Sequence, residues 1–292
     1  MGISKDVKKN KNNSKETKNS TTSIAYVYDE NGNKIKNVEL NPEIFSCEIR
    51  EDLIKRAVLS DISKYYQPKG VYEKAGFQTS ARYRGRKDTY GAIKNRGISR
   101  LPREILPDGR FGRVRIVPWS KGGHRAHPPK VEKILYERIN KKEYILALKS
   151  AFSASASIEY VKKRGHKIDG IESLPIIISE EALQKIKKTK DAKRLLEQLN
   201  LTEELKRSKK GKHRKTGVGK RVNKTKYPKS ALLVIEEYNS STKCFDNLPG
   251  IDIKSVEDLE VHDLAPGTVP GRLLILSENA LSKLEEKILK NV

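Results

Sequence analysis

Cysteine is scarce in this sequence. Cys47 and Cys244 are the only two in 292 residues, too few for a disulfide framework or a cysteine-built metal site, and a reducing compartment is the default. Long apolar runs are missing as well. No stretch reaches the roughly 18 apolar residues that a membrane-spanning helix needs. Met1–Ser20 carries lysines without an apolar centre, so no secretory signal is expected there. The apolar share is low, 36% against 34% charged residues, although the length suits one large domain or two small ones. Negative charge is the other shortage. Asp plus Glu number 37 against 61 Lys plus Arg, a formal net charge of +24. Such an excess points first to a polyanionic partner.

The positive charge is concentrated. Residues 66–130 hold 16 basic and 4 acidic side chains, and residues 206–229 hold 12 basic and none acidic. Everything else sums to zero, with a small basic excess in the first 18 residues offset by the rest. Clustering of this kind is the footprint of a nucleic-acid surface, because charge carried for solubility would be spread out. The two segments differ in chemistry. The first has ten of the 19 arginines, interleaved with Gly, Pro, Tyr and Trp119. Arginine offers a planar fork that grips phosphate through two bonds and stacks on bases. The second has nine lysines to three arginines, and lysine is a hydrated point charge suited to screening a phosphate backbone. The candidate contacts in the first segment are Arg82, Arg84, Arg86, Arg96, Arg100, Arg103, Arg110, Arg113, Arg115, Trp119, Lys121, His124, Arg125, His127 and Lys130. Those in the second are Lys209, Lys210, Lys212, Arg214, Lys215, Lys220 and Arg221. Residues 1–22, lysine among Asn, Ser and Thr, are expected to be a disordered basic tail.

The neutral remainder patterns as an α/β body. Ile24–Tyr28 and Ile35–Leu40 flank Asn31-Gly32, a hairpin signal. Ile49, Leu53, Ile54, Ala57 and Val58 share one helical face, predicting a helix over about 50–65. Asn140 followed by Glu143 predicts a capped helix start, with Tyr144, Ile145, Leu148 and Phe152 on one side. Two segments then repeat each other: Ile176-Ile177-Ile178-Ser179-Glu180-Glu181-Ala182-Leu183 and Leu274-Ile275-Leu276-Ser277-Glu278-Asn279-Ala280-Leu281. Each reads as a buried strand, a capping Ser and a helix, and the second helix aligns Leu281, Leu284 and Ile288. A third apolar run, Leu232–Ile235, lies between them. The predicted fold class is α/β: a mostly parallel sheet flanked by helices, with a long extended basic loop projecting from the globular domain. The globular domain is assigned to 23–66 and 131–292, and the inserted loop to 67–130. That stretch shows no sustained helical or strand period. Structureless loops beyond about 12–15 residues are rare in compact domains unless they are functional.

Few residues argue for catalysis. Thr216-Gly217-Val218-Gly219-Lys220-Arg221 misses the phosphate-loop pattern, since Arg214 stands where the first glycine belongs and no Ser or Thr follows Lys220. No strand is expected before it. His124 and His127 flank Arg125, which would repel a cation, and no cysteine lies near; base stacking or donation to phosphate suits them better than metal binding. His166, His213 and His262 read as structural or surface residues. No Gly-x-Gly-x-x-Gly links a strand to a helix, so a dinucleotide site lacks its fingerprint. Asp252, Glu257, Asp258, Glu260 and Asp263 are close in sequence, and a metal-dependent nuclease would want such carboxylates. Ser255-Val256-Glu257-Asp258-Leu259 reads more simply as a capped turn.

Several stretches carry a family resemblance. Gly123-His124-Arg125-Ala126-His127-Pro128-Pro129-Lys130 resembles the hallmark of the large-ribosomal-subunit uL4 family, archaeal and eukaryotic type. Ile98–Arg103, Val161–His166, Leu248-Pro249-Gly250 and Leu264–Leu273 are similar to further family segments. The likeness runs from about Ile24 to Ala280. It implies a structural constituent of the large ribosomal subunit, cytoplasmic and without catalytic or metal-binding residues. It also implies binding of 23S-type ribosomal RNA, support of subunit assembly, and a loop lining the nascent-peptide exit tunnel. Implied partners are ribosomal RNA, neighbouring large-subunit proteins and the nascent peptide, with no membrane. No cofactor is implied, since any structural Mg ions would be held by the RNA. The sequence departs from the family at Glu104-Ile105-Leu106-Pro107-Asp108, which puts two acids into a loop tip usually richer in glycine. Two other readings stay open at this point: an RNA-processing enzyme using the acidic turn near Asp258, and a DNA-packing protein.

Overall fold

The computed structural model describes residues 24–221, 224–239 and 242–290; the expected disordered tail, 1–22, lies outside them. The chain divides into two compact units. One comprises the described residues through Ile62 and from Glu137 onward, and the other is Ser63–Tyr136.

The first unit begins with the antiparallel pair β1 (Ile24–Tyr28) and β2 (Lys34–Glu39), joined across Asn31-Gly32, where Gly32 has a positive φ. The short helix α1 (Pro42–Phe45) is capped by Asn41, whose side chain accepts from the Glu43 amide at 3.0 Å. Helix α2 (Glu51–Lys64) buries Ile54, Ala57 and Val58, three of the residues whose spacing predicts it.

The second unit has little regular structure. β3 (Arg103–Ile105) and β4 (Phe111–Val114) form an antiparallel hairpin closed by Leu106–Arg110, with Gly109 at φ +69°. The hairpin lies within the stretch that shows no sustained helical or strand period. Its strands are too short, and too interrupted by Arg and Gly, to leave a period-2 signature. Glu104 and Asp108, the two acids expected at a loop tip, lie in it, and Glu104 Oε1 accepts from Arg115 Nε at 2.6 Å. Around the hairpin the chain runs through tight turns, and Ala81, Ala92 and Ile93 are buried.

The first unit resumes with α3 (Lys141–Ala156) and α4 (Ile158–Lys163). The helix start is where Asn140 predicts it, but the Asn140 side chain makes no capping bond. Glu143 turns instead to Arg56, 3.3 Å away on α2. Next come β5 (Ile176–Ile178), α5 (Glu180–Lys185), α6 (Thr189–Gln198) and α7 (Thr202–Lys210). A two-stranded ribbon, β6 (His213–Arg214) and β7 (Thr225–Lys226), precedes β8 (Leu232–Ile235) and β9 (Asp252–Ser255). The unit ends with α8 (Val261–Leu264), β10 (Leu274–Ser277) and α9 (Glu278–Lys290).

The main sheet has six strands in the order β2-β1-β5-β10-β8-β9. All its pairings are parallel except β1 with β2. The predicted mostly parallel sheet is therefore present, and the two repeated strands, β5 and β10, are direct neighbours. Both are buried throughout, as is β8, which explains their unbroken apolar runs. Successive residues point to opposite faces. Ile177, Leu232, Val234, Leu274 and Leu276 pack with α1, α2, α3 and α9. Ile176, Ile178, Leu233, Ile235 and Ile275 pack with α4, α5, α6 and α7. Each fully buried Leu, Ile or Val side chain contributes roughly 1.5–3 kcal/mol, so this double core holds the unit together despite the low apolar share. The capping serines act as their repeat predicts: Ser179 Oγ accepts from the Ala182 amide and Ser277 Oγ from the Ala280 amide.

Candidate nucleic-acid interface

The Ser63–Tyr136 unit holds the arginine-rich candidates. Arg82, Arg86, Arg100, Arg113, Arg125 and Lys130 have no side-chain partner among the described residues, so their charges face outward uncompensated. Lys121 and His127 likewise show none. Others shape the unit itself. Arg84 donates to the Tyr90 carbonyl at 2.8 Å, Arg103 to Ser99 Oγ at 2.7 Å, and Arg96 sits over the Phe111 ring at 5.2 Å. Arg110 pairs with Asp108 at 3.4 Å. Arg115 is committed to Glu104 and to the Lys121 carbonyl.

The stretch from Gly123 to Lys130 is anchored at its first histidine. The His124 ring stacks on Phe77 with centroids 4.7 Å apart, and the Ile116 carbonyl accepts from both the His124 amide and its Nδ1. Ile116 adopts φ +73°, a costly conformation for a β-branched residue. Strain of this kind persists only where surrounding contacts over-determine it. At Gly123 a Cβ would lie 1.9 Å from the Val117 carbonyl oxygen, so only glycine allows the chain to pass. Trp119 is 74% exposed and Tyr90 80% exposed, leaving flat aromatic faces in a cationic setting.

The lysine-rich candidates lie in the first unit, on α7 and the ribbon β6–β7. Lys209, Lys210, Arg214, Lys215, Lys220 and Arg221 have no acidic partner among the described residues, and Lys212 lies 5.4 Å from the Tyr227 ring centroid. Contrary to expectation, a two-residue strand, β6, precedes Thr216–Arg221. It is exposed and leads into a short 3-10 turn, not an α-helix, so no helix N-terminus is available to cradle phosphate.

What holds this strip in place was not anticipated. Glu204 on α7 is 1% exposed and collects donors from several elements. Arg207 reaches it through Nε at 2.8 Å and Nη2 at 2.6 Å, His166 Nδ1 at 2.7 Å, the Lys167 amide at 3.0 Å and Ser230 Oγ at 3.0 Å. Burial would raise the Glu204 pKa, but the Arg207 and His166 hydrogen bonds outweigh it and hold it at about 2. Burial also lowers the His166 pKa, and because Nδ1 faces a carboxylate it is the donor. Beside this cluster Arg272, 1% exposed, donates to the Ser230, Ala231 and Asp263 carbonyls and to Asp252 at 2.5 Å. Lys229 grips the same Asp252 at 2.6 Å. Arg164 donates to the Pro266 and Val269 carbonyls. The segments of family resemblance thus meet here: His166, Gly250 and Arg272 come from three of them. At Gly250, φ is +80° and a Cβ would sit 2.2 Å from the Pro228 carbonyl oxygen. The available signal in the sequence was charge beside buried strands, as in Arg272 before Leu273–Ile275.

The acidic cluster does not converge. Asp252 is taken by Arg272 and Lys229, Asp258 by Ser255 Oγ at 2.8 Å, and Asp263 closes a capping box with Glu260. Among the described residues no group of three or more His, Cys, Asp or Glu could hold a metal ion, and no helix is long and apolar enough to cross a membrane.

Fold and surface together define a basic α/β protein whose arginine- and lysine-rich segments expose cations without acidic partners among the described residues. Residues 38–287 match the Ribosomal protein L4/L1 family. The chain is 44% identical to large ribosomal subunit protein uL4 of Methanocaldococcus jannaschii, over 90% of this chain and 98% of that protein. It is 42% identical to that of Nanoarchaeum equitans, over 89% of this chain and 97% of the relative. The corresponding protein of Pyrobaculum aerophilum is 41% identical over 88% of each. The chain belongs to the Ribosomal protein L4/L1 family. These archaeal relatives are named as large ribosomal subunit proteins.

Proposed function

We propose that this chain is a structural constituent of the large ribosomal subunit in the cytoplasm and that it works by binding ribosomal RNA. The observation that carries this reading is the division of labour in its charge. A near-neutral α/β body closes its own apolar core, while two segments keep most of their cations without side-chain partners among the described residues. Unpaired arginines and lysines neutralise backbone phosphates and release counterions on binding. Glycines let the backbone approach the RNA closely, and Trp119, Tyr90 and His127 offer planes for unpaired bases. Neighbouring large-subunit proteins are the other expected contacts. The chain needs no cofactor for this role, and structural Mg ions would belong to the RNA.

The finer part of the proposal concerns residues 67–130. As an inserted extension of the body, they would thread between RNA helices, and their hairpin tip would line the nascent-peptide exit tunnel. Arginine there would face emerging peptide as well as RNA. Sedimentation of a cell extract at two salt concentrations tests the main reading. The chain should travel with the large subunit at low salt, and its absence from that fraction would overturn the assignment. For the tunnel, Arg110→Ser at the hairpin tip should alter nascent-chain stalling; unchanged stalling across several stalling peptides would count against it.

A further inference from the structure

The first unit contains a groove of about 970 Å³ bounded by α6, α7, the ribbon β6–β7 and the loop from Asp246 to Asp252. Its chemistry is two-sided. Leu205, Tyr227, Leu248, Pro249 and Ile251 supply apolar and aromatic lining. Lys206, Lys209, Lys215 and Lys226 supply charge, and none has an acidic partner among the described residues. The other charges lining the groove are already satisfied. Lys193 pairs with Glu197 at 3.2 Å, Lys229 with Asp252, and Asp246 accepts from the Tyr238 hydroxyl. Four free ammonium groups therefore surround a lining that water solvates poorly.

We propose that this groove receives an unpaired nucleotide of RNA, its base against Tyr227 and the Leu248-Pro249 wall and its flanking phosphates on the four lysines. The proposal rests on the RNA-binding reading above and names the RNA element that this surface takes. The volume lies near the upper end of the roughly 300–1,000 Å³ typical of clefts that enclose an organic molecule. RNA helices hide their bases, whereas bulged or looped nucleotides can be extruded and stacked on aromatic side chains. The cations are lysines, point charges suited to phosphate; planar recognition of carboxylates favours arginine. An acidic protein segment would match the charge but would leave the tyrosine and proline lining without a flat partner.

The test uses the full-length chain and two fluorescently labelled RNA hairpins, one fully paired and one carrying a short bulge, read by anisotropy at fixed salt. The bulged hairpin should bind more tightly, and ultraviolet cross-linking should map to Tyr227. Tyr227→Leu should lower affinity for the bulged hairpin by about 5-fold or more, the loss expected for one base–aromatic stack, and leave the paired hairpin nearly unchanged. Lys206→Gln with Lys209→Gln, both on the exposed side of α7, gives a second variant that keeps the packing intact. It should reduce the magnitude of the log–log salt slope by roughly 1–2 for the bulged RNA. Equal binding of both hairpins by the parent chain, or an unaffected bulge preference in both variants, would overturn the groove assignment and leave ribosomal RNA binding standing. Polyglutamate abolishing the bulge preference while the paired hairpin stays bound would reassign the groove to an acidic protein. Failure of the parent chain to bind either hairpin would overturn the RNA-binding reading along with it.

Discussion

Glu204 shows how a single buried charge can organise a basic surface. A carboxylate removed from water is tolerable only when donors surround it. Here Arg207, His166, the Lys167 amide and Ser230 do so from three places in the sequence. Glu204→Ala would leave Arg207 and His166 facing each other without the anion. Arg207 keeps partial access to solvent, so the expected cost is about 3 kcal/mol, the lower end for a broken buried pair, read as a fall in the urea midpoint. The same cluster sets a pH dependence. The pKa values of Glu204 and His166 are both lowered in the folded chain. In each case the unfolded chain takes up a proton that the folded chain refuses, so stability must fall as pH falls. The decline should begin as pH drops below the usual histidine value of 6.5, and deepen from 4.5 toward 2 as Glu204 protonates. Thermal unfolding across that range checks this, and His166→Gln should remove the upper part of the decline. Stability rising toward pH 5 would contradict the assignment. None of this could be read from the sequence, because the partners are up to 64 residues apart (His166 and Ser230) and each looks like an ordinary surface residue.

At the scale of elements, legibility followed periodicity and repetition. The strand-serine-helix repeat predicted two buried strands, their caps and a parallel sheet, and it did so because burial on both faces forces an unbroken apolar run. Ser179→Ala and Ser277→Ala should each cost about 1 kcal/mol, the usual loss for an N-cap, and should add because the two caps serve different helices. Chemical denaturation of the single and double variants reads this, and strong non-additivity would mean that the caps share a partner. Other elements were missed. Helices α6 and α7 are amphipathic, but their buried stripes are short, Ala192, Leu195 and Leu196 on one and Leu205 on the other, set among charged residues that read as surface. β9 owes its place to pairing with β8, and its residues are all half-buried. The hairpin β3–β4 depends on Gly109 and on the Arg115–Glu104 pair rather than on alternation. Asn140 marked a helix start correctly but not its chemistry, since Glu143 has a better partner in Arg56.

For the whole molecule the net charge of +24 is two local surpluses on a neutral body. The structure refines that division, because not every cation in the two basic segments is available to a partner. Arg207 and Lys229 are spent on Glu204 and Asp252, and Arg115 on Glu104. Binding should therefore respond to salt through the unpaired cations alone. If about ten phosphates are engaged, the log–log slope of affinity against salt should be roughly −7 to −9. Arg82→Gln, Arg86→Gln and Arg113→Gln together should shrink its magnitude by about 2–3. Arg207→Gln should leave the slope unchanged while lowering stability, since its charge is already neutralised inside the protein. Titrations of large-subunit ribosomal RNA at several salt concentrations separate these outcomes. A slope that fell equally for Arg207→Gln would mean that total charge, and not its placement by the fold, governs binding.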